Sequence, residues 1–230
     1  MVVLSRLLHV AAATVLSQDC FLCGAPAGRR PICDDCRAEL PWHAESVCPV
    51  CALPTADGGV CGACLRRPPG FDATWVAFDY AFPVDVMVKA LKYQHRFALA
   101  GLFADVLVVP DGVDLIVPMP LHPRRLAERG FNQAVEIARP LARRAGVELM
   151  LEAVSRVRHT PSQAQLGRDE RERNLRGAFV GARRLDGARV LVVDDVMTTG
   201  ASLAAVAAVL KANGAARVEN LVVARTPTPL

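Results

Sequence analysis

No stretch of this 230-residue chain is long and apolar enough to span a membrane, although 52% of its residues are hydrophobic, so the apolar surplus is available for a core. A dominant charge is also missing. The 27 basic and 23 acidic side chains leave +4, which favours anionic ligands without demanding nucleic acid. Cysteine is absent after residue 64, confining thiol chemistry to the beginning of the chain. Aromatics make up 5%, and the Cys-rich stretch holds only Phe21 and Trp42 for base stacking, which weighs against direct binding of single strands there. No Gly-Lys-[Ser/Thr] follows the turn at Gly200, so a Walker-type nucleotide loop is disfavoured.

What is present begins with eight cysteines in four Cys-x-x-Cys pairs, Cys20/Cys23, Cys33/Cys36, Cys48/Cys51 and Cys61/Cys64. The second quartet repeats the first with an offset of 28 residues, and Pro26 recurs as Pro54. Each duplicated unit reads Cys-x2-Cys-x9-Cys-x2-Cys, and two such knuckles can hold four thiolates tetrahedrally around a zinc ion. Two closed structural zinc sites, one per repeat, are expected; spacing alone leaves cross-braced pairing, a disulfide cluster and an iron-sulfur cluster open. The few weakly hydrophobic residues between ligands predict a module that needs its metal to fold. The length allows that module plus one medium domain. The expected division is an amphipathic helix over 1–18, with Leu4, Leu7, Leu8, Ala11 and Val15 on one face, a Cys-rich double ribbon over 19–68, and a larger domain over 69–230. Leu65 to Gly70, with two prolines, punctuates the boundary.

The most informative run is Val190 to Ser202. Four apolar residues suit a parallel strand buried on both faces, and such strands present ligands at their carboxyl ends, where Asp194 and Asp195 are expected. Adjacent carboxylates there need cations or hydrogen-bond donors, and vicinal ribose hydroxyls are donors of that kind. Thr198, Thr199, Gly200, Ala201 and Ser202 then lead into an Ala-rich helix whose free amides can cradle a phosphate. The run resembles the phosphoribosyl-pyrophosphate (PRPP) signature of type I phosphoribosyltransferases. That resemblance assigns Asp194 and Asp195 the catalytic ribose contacts, and Val196, Met197, Thr198, Thr199, Gly200, Ala201 and Ser202 the ligand loop.

The rest of the domain alternates. Strand signals lie at 74–82, 114–117, 148–154, 178–180 and 218–224, with helical periodicity at 84–92, 97–109 and 131–145, which argues an α/β fold with a largely parallel sheet flanked by helices. Residues 118–125 read as non-helical because three prolines interrupt them, with a cis Met119–Pro120 bond suggested. This loop is the expected pyrophosphate cradle, carrying Met119, Arg124, Arg125 and Arg129. Residues 155–176 hold six arginines and read either as a mobile lid over an anionic substrate or as a salt-bridged surface helix at 166–175. His122 and His159 read as loop residues.

The double Cys repeat, Ala90-Leu91-Lys92-Tyr93, Val117 to His122, Arg129-Gly130-Phe131-Asn132-Gln133, Thr160/Gln163/Leu166 with Arg171 and Asn174, Ala178-Phe179 and the PRPP run together resemble the ComF family of phosphoribosyltransferase-like proteins. The resemblance implies a type I phosphoribosyltransferase-like domain behind a double zinc ribbon. It also implies a cytoplasmic bacterial protein related to DNA uptake and natural transformation, taking PRPP with Mg2+. Lys92 stands either at the acceptor or phosphate, or as a helix lysine reaching solvent. Two functions follow: transfer of a phosphoribosyl group to an unidentified acceptor, or PRPP sensing by an adaptor whose ribbons dock a DNA-uptake protein or single-stranded DNA.

Overall fold

A computed structural model describes residues 18–158, 175 and 177–226 of the chain. Residues 1–17 of the expected N-terminal helix, and 159–174 and 176 of the arginine-rich segment, lie outside the described residues. The Cys-rich region carries two short helices, α1 (Asp34–Ala38) and α2 (Gly62–Arg66). The domain then runs β1 (Ala73–Asp79), α3 (Val84–Gln94), α4 (Ala98–Val106), β2 (Leu115–Pro118), α5 (Pro123–Arg129), α6 (Gln133–Ala145), β3 (Glu148–Leu149), β4 (Val154–Arg156), β5 (Phe179–Gly181), β6 (Arg189–Met197), α7 (Ala201–Ala212) and β7 (Arg217–Arg225).

Among the described residues, β1-β7-β6-β2-β3 form a wholly parallel five-stranded sheet, and β4 and β5 form a separate antiparallel pair. The central strands are apolar on both faces and bury alternate side chains in opposite directions. Leu191 and Val193 of β6 meet α3, α4 and α6, whereas Val190 and Val192 meet α7 and the β4–β5 hairpin. The chain leaves β2 toward β3 on one side and β6 toward β7 on the other. The crevice beyond β2 and β6 is therefore the sheet's topological switch point, the place where open parallel sheets bind ligands.

The Cys-rich module clasps the β1 edge. Cys20, Ile32 and Leu40 pack into the core on the α3 face, while Cys48, Cys51 and Cys64 pack into the core on the α7 face. Between them, Trp42 bridges Phe78 antiparallel, with His43 N donating to Ala77 O (2.9 Å) and Asp79 N to Pro41 O (2.8 Å). This short segment covers the backbone edge that β1 would otherwise expose.

Several sequence expectations are corrected. The 148–154 strand is two strands, β3 in the main sheet and β4 in the hairpin, separated by a turn at Leu151–Glu152. The proline-rich 118–125 segment does enter a helix: α5 starts at Pro123, where a first-turn proline loses no helical hydrogen bond, and His122 caps it by accepting from Arg124 N at 3.1 Å. The Met119–Pro120 bond is trans; the cis X-Pro bond among the described residues is Phe82–Pro83. Asp194 and Asp195 stand in the C-terminal part of β6, as expected, but the strand continues past them through Met197.

Candidate functional site

The acidic pair sits at the switch point with its two carboxyls in different circumstances. Asp195 is 3% exposed and is clamped from two helices: Lys92 of α3 forms an ion pair with Oδ2, and Gln133 Nε2 of α6 donates to Oδ1 at 3.2 Å. Arg129 Nη1 donates to Gln133 Oε1 at 2.5 Å, which turns the amide so that its NH2 faces Asp195. The Arg129 guanidinium also lies over the Tyr93 ring, 5.4 Å from its centroid. Two strings far apart in sequence, Lys92-Tyr93 and Arg129 to Gln133, thus converge on one carboxylate.

Burial pushes the Asp195 pKa up, but the charge and hydrogen bond of Lys92 overcome it and hold the group below its ordinary value. Asp194 goes the other way. Burial, then the adjacent Asp195 charge, raises it well above the usual carboxylate range. The two neighbouring carboxyls are therefore pushed in opposite directions, Asp195 toward the charged form and Asp194 toward the protonated one. Arg156 of β4 and Arg125 of α5 belong to the same field. Burial lowers the Arg156 pKa, Arg125 lowers it further, and the Asp194 charge opposes both.

The loop after β6 turns at Gly200, whose φ of +79° favours glycine, and opens α7. Thr199 Oγ1 accepts from Ala201 N at 3.3 Å. A Cβ on Gly200 would lie 2.6 Å from Met197 Cε, so the end of the buried methionine would have to shift. Met197, Gly200 and Ala201 are buried, so within the expected ligand run Val196, Thr198, Thr199 and Ser202 are the partly accessible residues. Behind it a cavity of roughly 460 Å³ is lined by Thr199, Gly200, Phe71, Phe179 and Cys51.

On the β2 side, Met119 lies against β6, its N donating to Val193 O (2.8 Å) and its O accepting from Asn132 Nδ2 (3.0 Å). Arg124 is exposed and bonded to Glu128 (Nε to Oε1, 3.0 Å), whereas Arg129 is drawn into the Gln133 network. Arg225 was not singled out by sequence reasoning, and Gln133 stood only as the end of the Arg129 to Gln133 string, with no role. Arg225 closes an otherwise largely apolar strand, which was its one visible signal.

The cysteines form two quartets, one per repeat: Cys20, Cys23, Cys33, Cys36 and Cys48, Cys51, Cys61, Cys64, with the sulfurs of each within 4.8 Å. All eight are free of disulfides. Sγ separations of 3.7 Å (Cys23–Cys33) and 3.6 Å (Cys51–Cys61) match the edge of a zinc tetrathiolate, about 3.8 Å for Zn–S bonds of about 2.3 Å. Burial opposes ionisation of Cys20, but the amides of Cys23, Cys33 and Leu22 reverse it and hold the thiol at about 6. Cys48 is likewise held at about 7 by the amides of Cys61, Cys51 and Val50. Cys36 and Cys64 are pushed upward by their neighbours, and by burial at Cys64. Four thiolates per quartet therefore require a cation, and the arrangement is consistent with two zinc sites.

Comparison with known proteins agrees with this layout. The double zinc ribbon domain model matches residues 11–65, and the phosphoribosyl transferase domain model matches residues 131–229. The "DNA utilization protein YhgH" of Salmonella typhimurium is 36% identical over 220 residues, covering 90% of this chain and 96% of that protein. Its Escherichia coli K12 counterpart is 34% identical with the same coverage. "Competence protein F" of Haemophilus influenzae is 29% identical, with 82% of each chain covered. This chain belongs to the ComF/YhgH family, in which a double zinc ribbon precedes a phosphoribosyltransferase domain.

Proposed function

We propose that the chain binds PRPP in the crevice beyond β2 and β6 and, with Mg2+, transfers its phosphoribosyl group to an acceptor in the service of DNA uptake or use. The observation that carries this reading is the acidic pair at the switch point, clamped on Asp195 and followed at once by a glycine turn that opens α7. Vicinal ribose hydroxyls supply further hydrogen-bond donors to the acidic pair, beside those Lys92 and Gln133 give Asp195. The amides of Thr198 to Ser202 supply a seat for the 5'-phosphate at a helix start.

As pyrophosphate leaves the anomeric carbon, positive charge grows on the sugar, and Asp194 and Asp195 lie where they stabilise it. The negative charge growing on the leaving group faces Arg125 and Arg156, with Arg124 on the same loop. Lys92 already pairs with Asp195, so Asp194, with oxygens of the ligand, would hold Mg2+, which would supply polarisation of the departing pyrophosphate. The zinc ribbon of 19–68 serves as a structural wall of the 69–230 domain, with its thiolates closed to chemistry, and the site of action is cytoplasmic.

A second reading draws on the printed names of the relatives: PRPP is sensed rather than consumed, and the ribbons dock a DNA-uptake protein or single-stranded DNA. Calorimetric titration of PRPP with and without Mg2+, on the native chain and on Asp194→Asn/Asp195→Asn, tests the shared premise. Mg2+-assisted binding lost in the double variant is expected. A folded, zinc-loaded native chain that binds no PRPP would sink both readings of the crevice. Pyrophosphate release in the presence of candidate acceptors then separates transfer from sensing.

A further inference from the structure

Arg225 ends β7 with a side chain 2% exposed, and burying a guanidinium is costly unless its donors are used. They are divided between two distant parts of the chain. Nε donates to Cys51 O at 3.0 Å, in the second cysteine quartet. Nη1 donates to Met197 O at 3.2 Å and to Thr198 O, where the phosphate loop begins, and also to Thr226 O (3.1 Å) and Thr226 Oγ1 (3.3 Å).

Peptide planarity gives these bonds a consequence. In a trans peptide the carbonyl of one residue and the amide N–H of the next point in opposite directions. With the Met197 and Thr198 carbonyls drawn onto Arg225, the N–H groups of Thr198 and Thr199 face away from it. The Met197 carbonyl also accepts from Thr226 N at 3.1 Å, so the peptide plane that Arg225 sets beyond the sheet ladder is that of Thr198, beside the cavity that Arg225, Thr199 and Gly200 line together. The ribbon end of the link is equally fixed. Ala52, held at φ +57°, offers its carbonyl to His43 Nε2 at 2.8 Å, and His43 Nδ1 lies 2.7 Å from Asp79 Oδ1. Asp79 and Arg225 are register neighbours at the ends of β1 and β7.

We propose that Arg225 is a positioning residue that couples metal occupancy of Cys48/Cys51/Cys61/Cys64 to the phosphate loop, presetting the loop amides for the 5'-phosphate of a phosphoribosyl ligand. The inference rests on reading that loop as the seat of the PRPP phosphate. The first quartet packs on the opposite face of the sheet and makes no such link among the described residues, so the coupling is specific to the second. Coupling of this kind is reciprocal: ligand at the loop must be felt at the second metal.

Cadmium NMR of the full chain, loaded with cadmium at both quartets and titrated with PRPP and Mg2+, reads that reciprocity directly. PRPP is expected to shift one of the two cadmium signals and leave the other in place. Arg225→Lys keeps the charge but loses the fork; it should retain both metals, weaken PRPP binding by about tenfold and abolish the shift. Binding that moves neither signal, or both alike, overturns the coupling, as does an Arg225→Lys chain that binds like the native one. The native titration decides the matter even where the variant fails to fold. A native chain that binds no PRPP would instead remove the reading of the loop itself, and the coupling with it.

Discussion

At the scale of single residues, the acidic pair makes opposite contributions to stability. The depressed pKa of Asp195, set by Lys92 against burial, stabilises the fold above the ordinary carboxylate range and is lost as pH falls through the folded value. The raised pKa of Asp194, set by burial and the Asp195 charge, stabilises the fold fully below the ordinary range and is lost as pH rises toward the folded value. Asp194→Asn is therefore expected to melt higher than the native chain near neutral pH, at roughly 2–4 °C per kcal/mol relieved, while losing PRPP binding. Melting curves across pH check this, and a native-to-variant difference that does not change with pH would show that Asp194 is not held in its protonated form. Lys92→Met leaves Asp195 buried without its cation and should cost about 3–5 kcal/mol in urea unfolding. Adding Asp195→Asn should restore most of that loss, because the charge that needed Lys92 is gone.

At the scale of elements, the parallel strands were the legible part. β6 and β7 are buried on both faces, so they leave apolar runs; at α6, of the side read from sequence (Phe131, Ala134, Val135, Ala138 and Leu141), all but Val135 are buried, and Ile137 joins them. Less legible was anything decided by partners across a crossover. β3 and β4 share one β-prone stretch, and only the sheet's edge and the hairpin partner β5 divide it. Pro123 disguised α5 because a proline forbidden inside a helix is welcome at its first position. The site divided in the same way: the acidic pair and glycine loop are contiguous and could be read, whereas Lys92, Gln133 and Arg225 reach it only through the folded topology. The loop itself makes a direct prediction. Gly200→Ala forces a side chain into the left-handed region, at a cost of about 1–2 kcal/mol, and against Met197 Cε. PRPP affinity should fall at least about tenfold while both metals stay bound, as read by calorimetry and metal analysis.

At the scale of the whole molecule, the ribbons are built into the domain they precede. One quartet lies on each face of the sheet, the segment at 41–43 closes the β1 edge, and Ile32 and Leu40 are buried in the domain's core. With so little apolar interior of its own, each knuckle holds its shape through metal and through the sheet. Stripping the metal should therefore damage more than the ribbon: the thiols cannot all ionise without a cation, the knuckles open, and β1 offers unpaired N–H and C=O groups to other chains. Chelation of the full chain is expected to lower Tm by roughly 10 °C or more, the equivalent of several kcal/mol, and to produce self-association seen in light scattering, with zinc reversing both before aggregates mature. Hydrogen exchange locates the effect, since amides of β1 should lose protection before those of β6, which lies at the sheet's centre. A stripped chain that stays monomeric, with β1 as protected as before, would mean that the ribbon is only appended to the domain and that the sheet's edge is closed by other means.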